Sequence, residues 1–173
     1  MMMTSNIVEA YWQETALTAI MSIDNAVIYT FTKNAMRKLS VWHLPAAQHE
    51  GHHPPNDLIE GGMTKHMFKV YLVTSSLCEA EDIGGITLDC LKSAAAIHDI
   101  GKYGLTGTDV KIDPYHALLV RKIADQGSLS DQIYEFIIGL VESHMGRWGK
   151  YPTDTCEKRI LHYADMISAR YVL

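Results

Sequence analysis

Apolar positions recur at helical spacing over most of the chain. From about Ser5 to Ser40, residues such as Val8, Tyr11, Trp12, Leu17, Ile20, Val27, Ile28, Phe31 and Met36 fall mostly three or four apart. This predicts one long helix, or two with a break near Ser22 to Asn25. Pro45, Gly51, Pro54, Pro55, Gly61 and Gly62 then interrupt the pattern, and Val41 to Gly62 read as a loop. It carries His43, His49, His52 and His53. Loops of this length in a compact domain are often functional. Helical spacing resumes at Thr64, read as a cap, and runs to about Glu79; Gly84-Gly85 breaks it. Thr87 is expected to cap the next helix, which ends at Gly101. Asp113-Pro114 opens a helix to about Asp125, and Ser130-Asp131 opens another to His144. Gly146 to Pro152 form a connection, and Thr155 starts the last helix. No alternating strand pattern and no internal repeat is present. The expected fold class is therefore all-α, a helical bundle forming one domain over 1–173. Its parts are an N-terminal helical segment (1–40), a His/Pro/Gly loop (41–62) and a helical core (63–173).

Composition narrows the function classes. An apolar share of 47 % over 173 residues supports a real core. The formal net charge of −5 argues against broad, sequence-independent nucleic-acid binding, which needs a basic surface. Cys78, Cys90 and Cys156 are odd in number and form no CxxC pair, so neither a disulfide framework nor a cysteine zinc site is expected. A reducing, cytoplasmic setting fits them. No stretch reaches the ~20 apolar residues of a membrane span, and the start lacks the features of a signal peptide.

The chemistry centres on His98 and Asp99, in Ile97-His98-Asp99-Ile100-Gly101-Lys102. An adjacent imidazole and carboxylate can hold one divalent cation from a helix end, and leave other positions to distant ligands and water. Lys102 is placed to meet a phosphate. His144 shares the apolar stripe of Ile137 and Leu140. His116 lies on the stripe of Val120 and Ile123, and Asp165 follows Leu161 by one turn. An inward acid is costly unless paired or bound to a cation. Taken singly, His66 and His116 read more readily as hydrogen-bonded core residues, and Asp165 as a cap or a partner of Arg159 or Arg170. Together, His66, His98, Asp99, His116, His144 and Asp165 are most simply satisfied by a shared metal centre. His162, three residues before Asp165, reads as a packing or supporting residue.

This pattern resembles the HD superfamily of metal-dependent phosphohydrolases. The superfamily signature is a histidine, a His-Asp pair and a distant aspartate, matched in order by His66, His98, Asp99 and Asp165. His116 and His144 match the intervening histidines of the subset that holds two metals. Pro45-Ala46-Ala47 with His52-His53, Gly61-Gly62 and His66 looks like the entry to the HD domain of YhaM-type 3'-to-5' exoribonucleases; some conjugative relaxases have a similar entry. Ser143-His144-Met145-Gly146 and Leu161-His162-Tyr163-Ala164-Asp165 look like the closing motifs of that group. Three departures stand out: Met145 replaces a second histidine, the stretch from His53 to Gly61 is longer, and the strand-gripping OB-fold is missing.

The resemblance implies a first metal on His66, His98, Asp99 and Asp165. A second metal would share Asp99 with His116 and His144, and a water between them would attack phosphorus. Asp99 and Lys102 are the expected catalytic residues, and Lys102, His52 and His53 the expected substrate contacts. The mixed donors suit manganese, iron, nickel, cobalt or zinc without choosing among them, as one or two ions, and manganese is the cofactor expected. The expected substrate is a nucleotide or short oligonucleotide, with phosphodiester cleavage ranked above nucleotidase or triphosphohydrolase action. A di-iron oxygenase and a non-catalytic nucleotide sensor are the alternatives. The N-terminal helices would support the site or make a homo-oligomer contact.

Overall fold

The computed structural model describes residues 2–48, 51 and 53–170; side chains are described from residue 6 onward. Helix α1 (Met2–Ala19) ends in a 3-10 turn (Ile20–Ser22), and α2 follows (Ala26–Met36). Then come α3 (Gly62–Ala80), α4 (Gly85–Ile97), α5 (His116–Ile123), α6 (Asp131–Ser143) and α7 (Cys156–Arg170). Among the described residues there is no strand, and no helix is long and apolar enough to cross a membrane. The fold is an all-helical bundle.

The break near Ser22 to Asn25 falls where the spacing placed it. Asn25 caps α2, its side-chain oxygen accepting from Val27 N and Ile28 N. Buried Asp89 of α4 accepts from Asp24 N and Asn25 N at 3.2 and 2.8 Å, and Lys92 Nζ donates to Ser22 O at 2.7 Å. The chain reversal is thus fastened to α4. That helix runs through the centre, buried from Asp89 to Ile97, and packs against α2, α3 and α6. Ala94, Ala95 and Ala96 are all buried, and their small side chains let the neighbours come close. Truncating Leu91, which has no exposed surface, should cost about 2–5 kcal/mol.

Several expected boundaries move. Helix α3 starts at Gly62, after Gly61 in a left-handed conformation (φ 74°), and not at Thr64. The Thr64 hydroxyl instead donates to Trp42 O at 2.9 Å, fixing the loop to the helix. Helix α4 starts at Gly85, ahead of the expected Thr87 cap, and ends at Ile97 with a string of turns carrying the chain past Gly101. Helix α5 is shorter than predicted: Asp113 Oδ1 accepts from Tyr115 N at 2.7 Å, closing a local turn so that the helix begins at His116. Ser130 caps α6 as expected. The 41–62 loop is stitched down by backbone bonds, Ala46 N to Asp57 O (2.7 Å), Gly61 N to His43 O (2.7 Å) and Met63 N to Leu44 O (2.8 Å). Tyr103 OH donates to Pro45 O at 2.7 Å. Pro55–Asp57 form a 3-10 turn within the loop.

Candidate metal centre

Five elements bring the six ligand candidates together. His66 lies on α3 and Asp165 on α7, the most extensively paired helices of the bundle. His98 closes α4 and Asp99 follows in the turn; His116 opens α5, and His144 closes α6. Asp99 sits between two groups. Its Oδ2 is 3.4 Å from His98 Nε2 and 3.9 Å from His66 Nε2. Its Oδ1 is 2.9 Å from His116 Nε2 and 3.8 Å from His144 Nε2. Asp165 Oδ1 completes the first group, 3.0 Å from His66 Nε2 and 3.9 Å from His98 Nε2.

These spacings suit cations. Donor atoms about 2.1 Å from one ion stand about 3.0 Å apart at neighbouring corners of an octahedron, about 3.4 Å apart in a tetrahedron and about 4.2 Å apart at opposite corners of an octahedron, and the six separations lie within that span or a tenth of an ångström below it. Nε2 of His98 and of His116 are buried and have no hydrogen-bond partner, a costly state for a polar atom unless something else fills the role. The opposite ring nitrogens are already committed. Nδ1 of His98, His116 and His144 lies 2.8 Å from the carbonyl oxygen of Ala95, Asp113 and Val141, respectively. A proton on Nδ1 satisfies each bond and leaves an Nε2 lone pair facing the carboxylates. His162 supports one of these ends, its Nδ1 standing 2.7 Å from His144 O.

The ionisation pattern matches. Burial pushes His66 down to about 4, against the hydrogen bond with Asp165. Burial and the neighbouring His98 push His144 down to about 3. Burial alone would raise Asp99, but Lys102, His98 and His116 hold it well below the usual carboxylate range. Asp165 is likewise raised by burial and lowered further by His66. His98 goes the other way: burial lowers it, and Asp99 raises it overall. The neutral imidazoles of His66 and His144 beside the ionised Asp99 and Asp165 are the protonation states a divalent cation needs, and His98 would give up its proton on binding one.

A cavity of about 1300 Å³ opens on this cluster. Asp99, Lys102, His116, His144 and Asp165 line its floor, with His53 at one side. Trp148, Met145, Met166 and Ile112 form apolar wall, and Lys111 and Arg170 add positive charge. Lys102 Nζ stands 2.6 Å from Asp99 Oδ2, so the lysine expected to contact phosphate also pairs with the central carboxylate. Met145 contributes apolar surface there. His53 packs edge-on against His66, their ring centroids 4.5 Å apart. His52 lies outside the described residues.

Helical periodicity did not reveal Asp57. It is 1 % exposed, with Lys69 Nζ 2.6 Å and His53 Nδ1 3.4 Å from its Oδ2. Burial would raise its pKa, but the bonds from His53 and Lys69 hold it below the ordinary value. The one sequence signal was an acid four residues after His53, inside the Pro-rich loop.

A family model described as HD domain matches residues 63–170. No curated protein and no solved structure matches the chain.

Proposed function

The chain belongs to the HD-domain family, and from that premise we propose that it is a metal-dependent phosphohydrolase acting on a nucleotide or short oligonucleotide, with phosphodiester cleavage as its reaction. One observation carries the reading: the two oxygens of Asp99 are divided between two groups of imidazoles at the floor of an open cavity. Residues His66, His98, Asp99 and Asp165 would hold one ion, and Asp99, His116 and His144 a second. Divalent cations held there supply Lewis acidity toward both the phosphate oxygens and the attacking water.

The chain's own groups do the rest. Lys102, anchored on Asp99, keeps ammonium hydrogens free to meet a phosphate oxygen from the cavity. His66 and His98 are each 1 % exposed and lie behind the floor, shielded from bulk water. The apolar wall around Trp148, which is 53 % exposed, offers a face for the part of the substrate that does not react. A cavity of about 1300 Å³ has room for more than a mononucleotide, which supports the diester reading. The likeness of the entry and closing motifs to YhaM-type exoribonucleases supports it as well.

The test is a manganese-loaded assay against a labelled oligonucleotide, cyclic nucleotides, and mono- and triphosphates. Diester turnover is expected. Turnover of monoesters or triphosphates alone would replace it with a nucleotidase or triphosphohydrolase. Oxygen uptake by anaerobically iron-loaded protein would point to an oxygenase.

A further inference from the structure

Four histidines face the carboxylates of the metal centre, and three share one supporting device. His98 and His144 stand just past the C-terminal ends of α4 and α6 and His116 at the first residue of α5, and Nδ1 of each meets the carbonyl three residues earlier. His66 cannot use it. It is the fifth residue of α3, surrounded by helix, and its Nδ1 is buried without a hydrogen-bond partner. The acceptor facing that nitrogen is Asp57 Oδ2, at 3.9 Å.

We propose that Asp57 is the positioning residue for His66, its carboxylate orienting the imidazole so that Nε2 is presented to the metal. This rests on the reading of His66 as a metal ligand. The fold brings this carboxylate to its place deliberately. The Asp57 backbone carbonyl receives Ala46 N at 2.7 Å, and Gly62 lies so close to it that a Cβ there would collide. Lys69, one turn after His66 on α3, donates to Oδ2 and makes the buried charge tolerable. His53 holds the same oxygen from the cavity side while its ring packs on His66. The stretch between His53 and Gly61, with its 3-10 turn at Pro55–Asp57, is what delivers Asp57.

His53, Asp57 and His66 are close enough together to hold an ion of their own. The Lys69 ammonium, 2.6 Å from the shared oxygen, argues against that and for orientation. A small movement of the ring or of the carboxylate closes 3.9 Å to a hydrogen bond once Nε2 is engaged.

The experiment is cobalt(II) titration of the metal-free full-length chain, read by visible absorption and calorimetry. Wild type is compared with D57N and with D57N/K69M. The double variant removes both buried charges together, so its folding does not depend on an unpaired ammonium; circular dichroism checks this. Dissociation of the tighter ion should rise about 10–100-fold in both variants, with an altered cobalt spectrum and wild-type helicity. Binding within twofold of wild type with an unchanged spectrum would overturn the positioning role alone. Three ions per wild-type chain would overturn it in favour of a metal at Asp57. No cobalt bound by wild type would overturn it together with the phosphohydrolase reading.

Discussion

The two flanks of Asp99 are built differently. The first, with His66, His98 and Asp165, is drawn from the tightly packed α3, α4 and α7, and neither of its imidazoles reaches the cavity. The second, with His116 and His144, comes from α5 and α6, and both rings line the cavity. The first adds a second carboxylate; the second has only the Oδ1 of Asp99. Arg121 ties the second flank together from outside, bonding Glu142 and Glu135 across the α5–α6 contact at 2.8 and 2.7 Å. An enclosed flank with two acids is suited to retain an ion, and an open one to meet substrate. Asp99 makes the two one site.

The largest expected effect is therefore from D99A, which breaks both flanks. It should lower turnover at least about 1000-fold and remove bound metal, as read by activity and elemental analysis on the same sample. The next pair separates the flanks. D165A should release the tighter ion and lower turnover about 100-fold. H116A should keep that ion, lose the weaker one, and lower turnover about tenfold. Metal stoichiometry of the two variants decides it; equal losses in both would erase the difference between the flanks.

Acid should attack both sides, because each holds an imidazole neutral. His66 (about 4) and His144 (about 3) lie below their ordinary value of 6.5. The unfolded chain therefore binds protons between pH 6.5 and 4 that the folded chain does not. Stability from these groups is complete above pH 6.5 and is lost as pH falls toward 4 for His66 and toward 3 for His144. His98, raised by Asp99 against burial, acts in the opposite sense and offsets part of the loss. The metal-free protein should therefore be less stable at pH 5 than at pH 6.5, measured by urea denaturation in chelator. The smallest effect belongs to K102A: metal retained on both flanks and turnover down about tenfold, visible as lower kcat at unchanged metal content.

Much of this centre was legible because it lies on helices. His144 is spaced from Ile137 and Leu140 as a core residue would be, and the fold buries all three. The break before α2 was legible from the apolar spacing, and the structure shows Asn25 capping the helix that follows. Where tertiary contacts override local preference, the reading slipped. Thr64 looks like a cap, yet its hydroxyl serves the loop, and the helix starts at Gly62, just after Gly61. Asp57 was hidden for a related reason. Its neighbours His66 and Lys69 are set by the docking of an irregular loop on α3, and no period in the sequence records that docking. The division of Asp99 between two flanks was equally beyond spacing, because it depends on how α5 and α6 close over the turn after α4.

The most direct test is anomalous diffraction from crystals grown with manganese. Two peaks are predicted, one among His66, His98 and Asp165 and one beside His116 and His144, both in contact with Asp99. Peaks remote from Asp99, or none at all under saturating manganese, would contradict the shared centre.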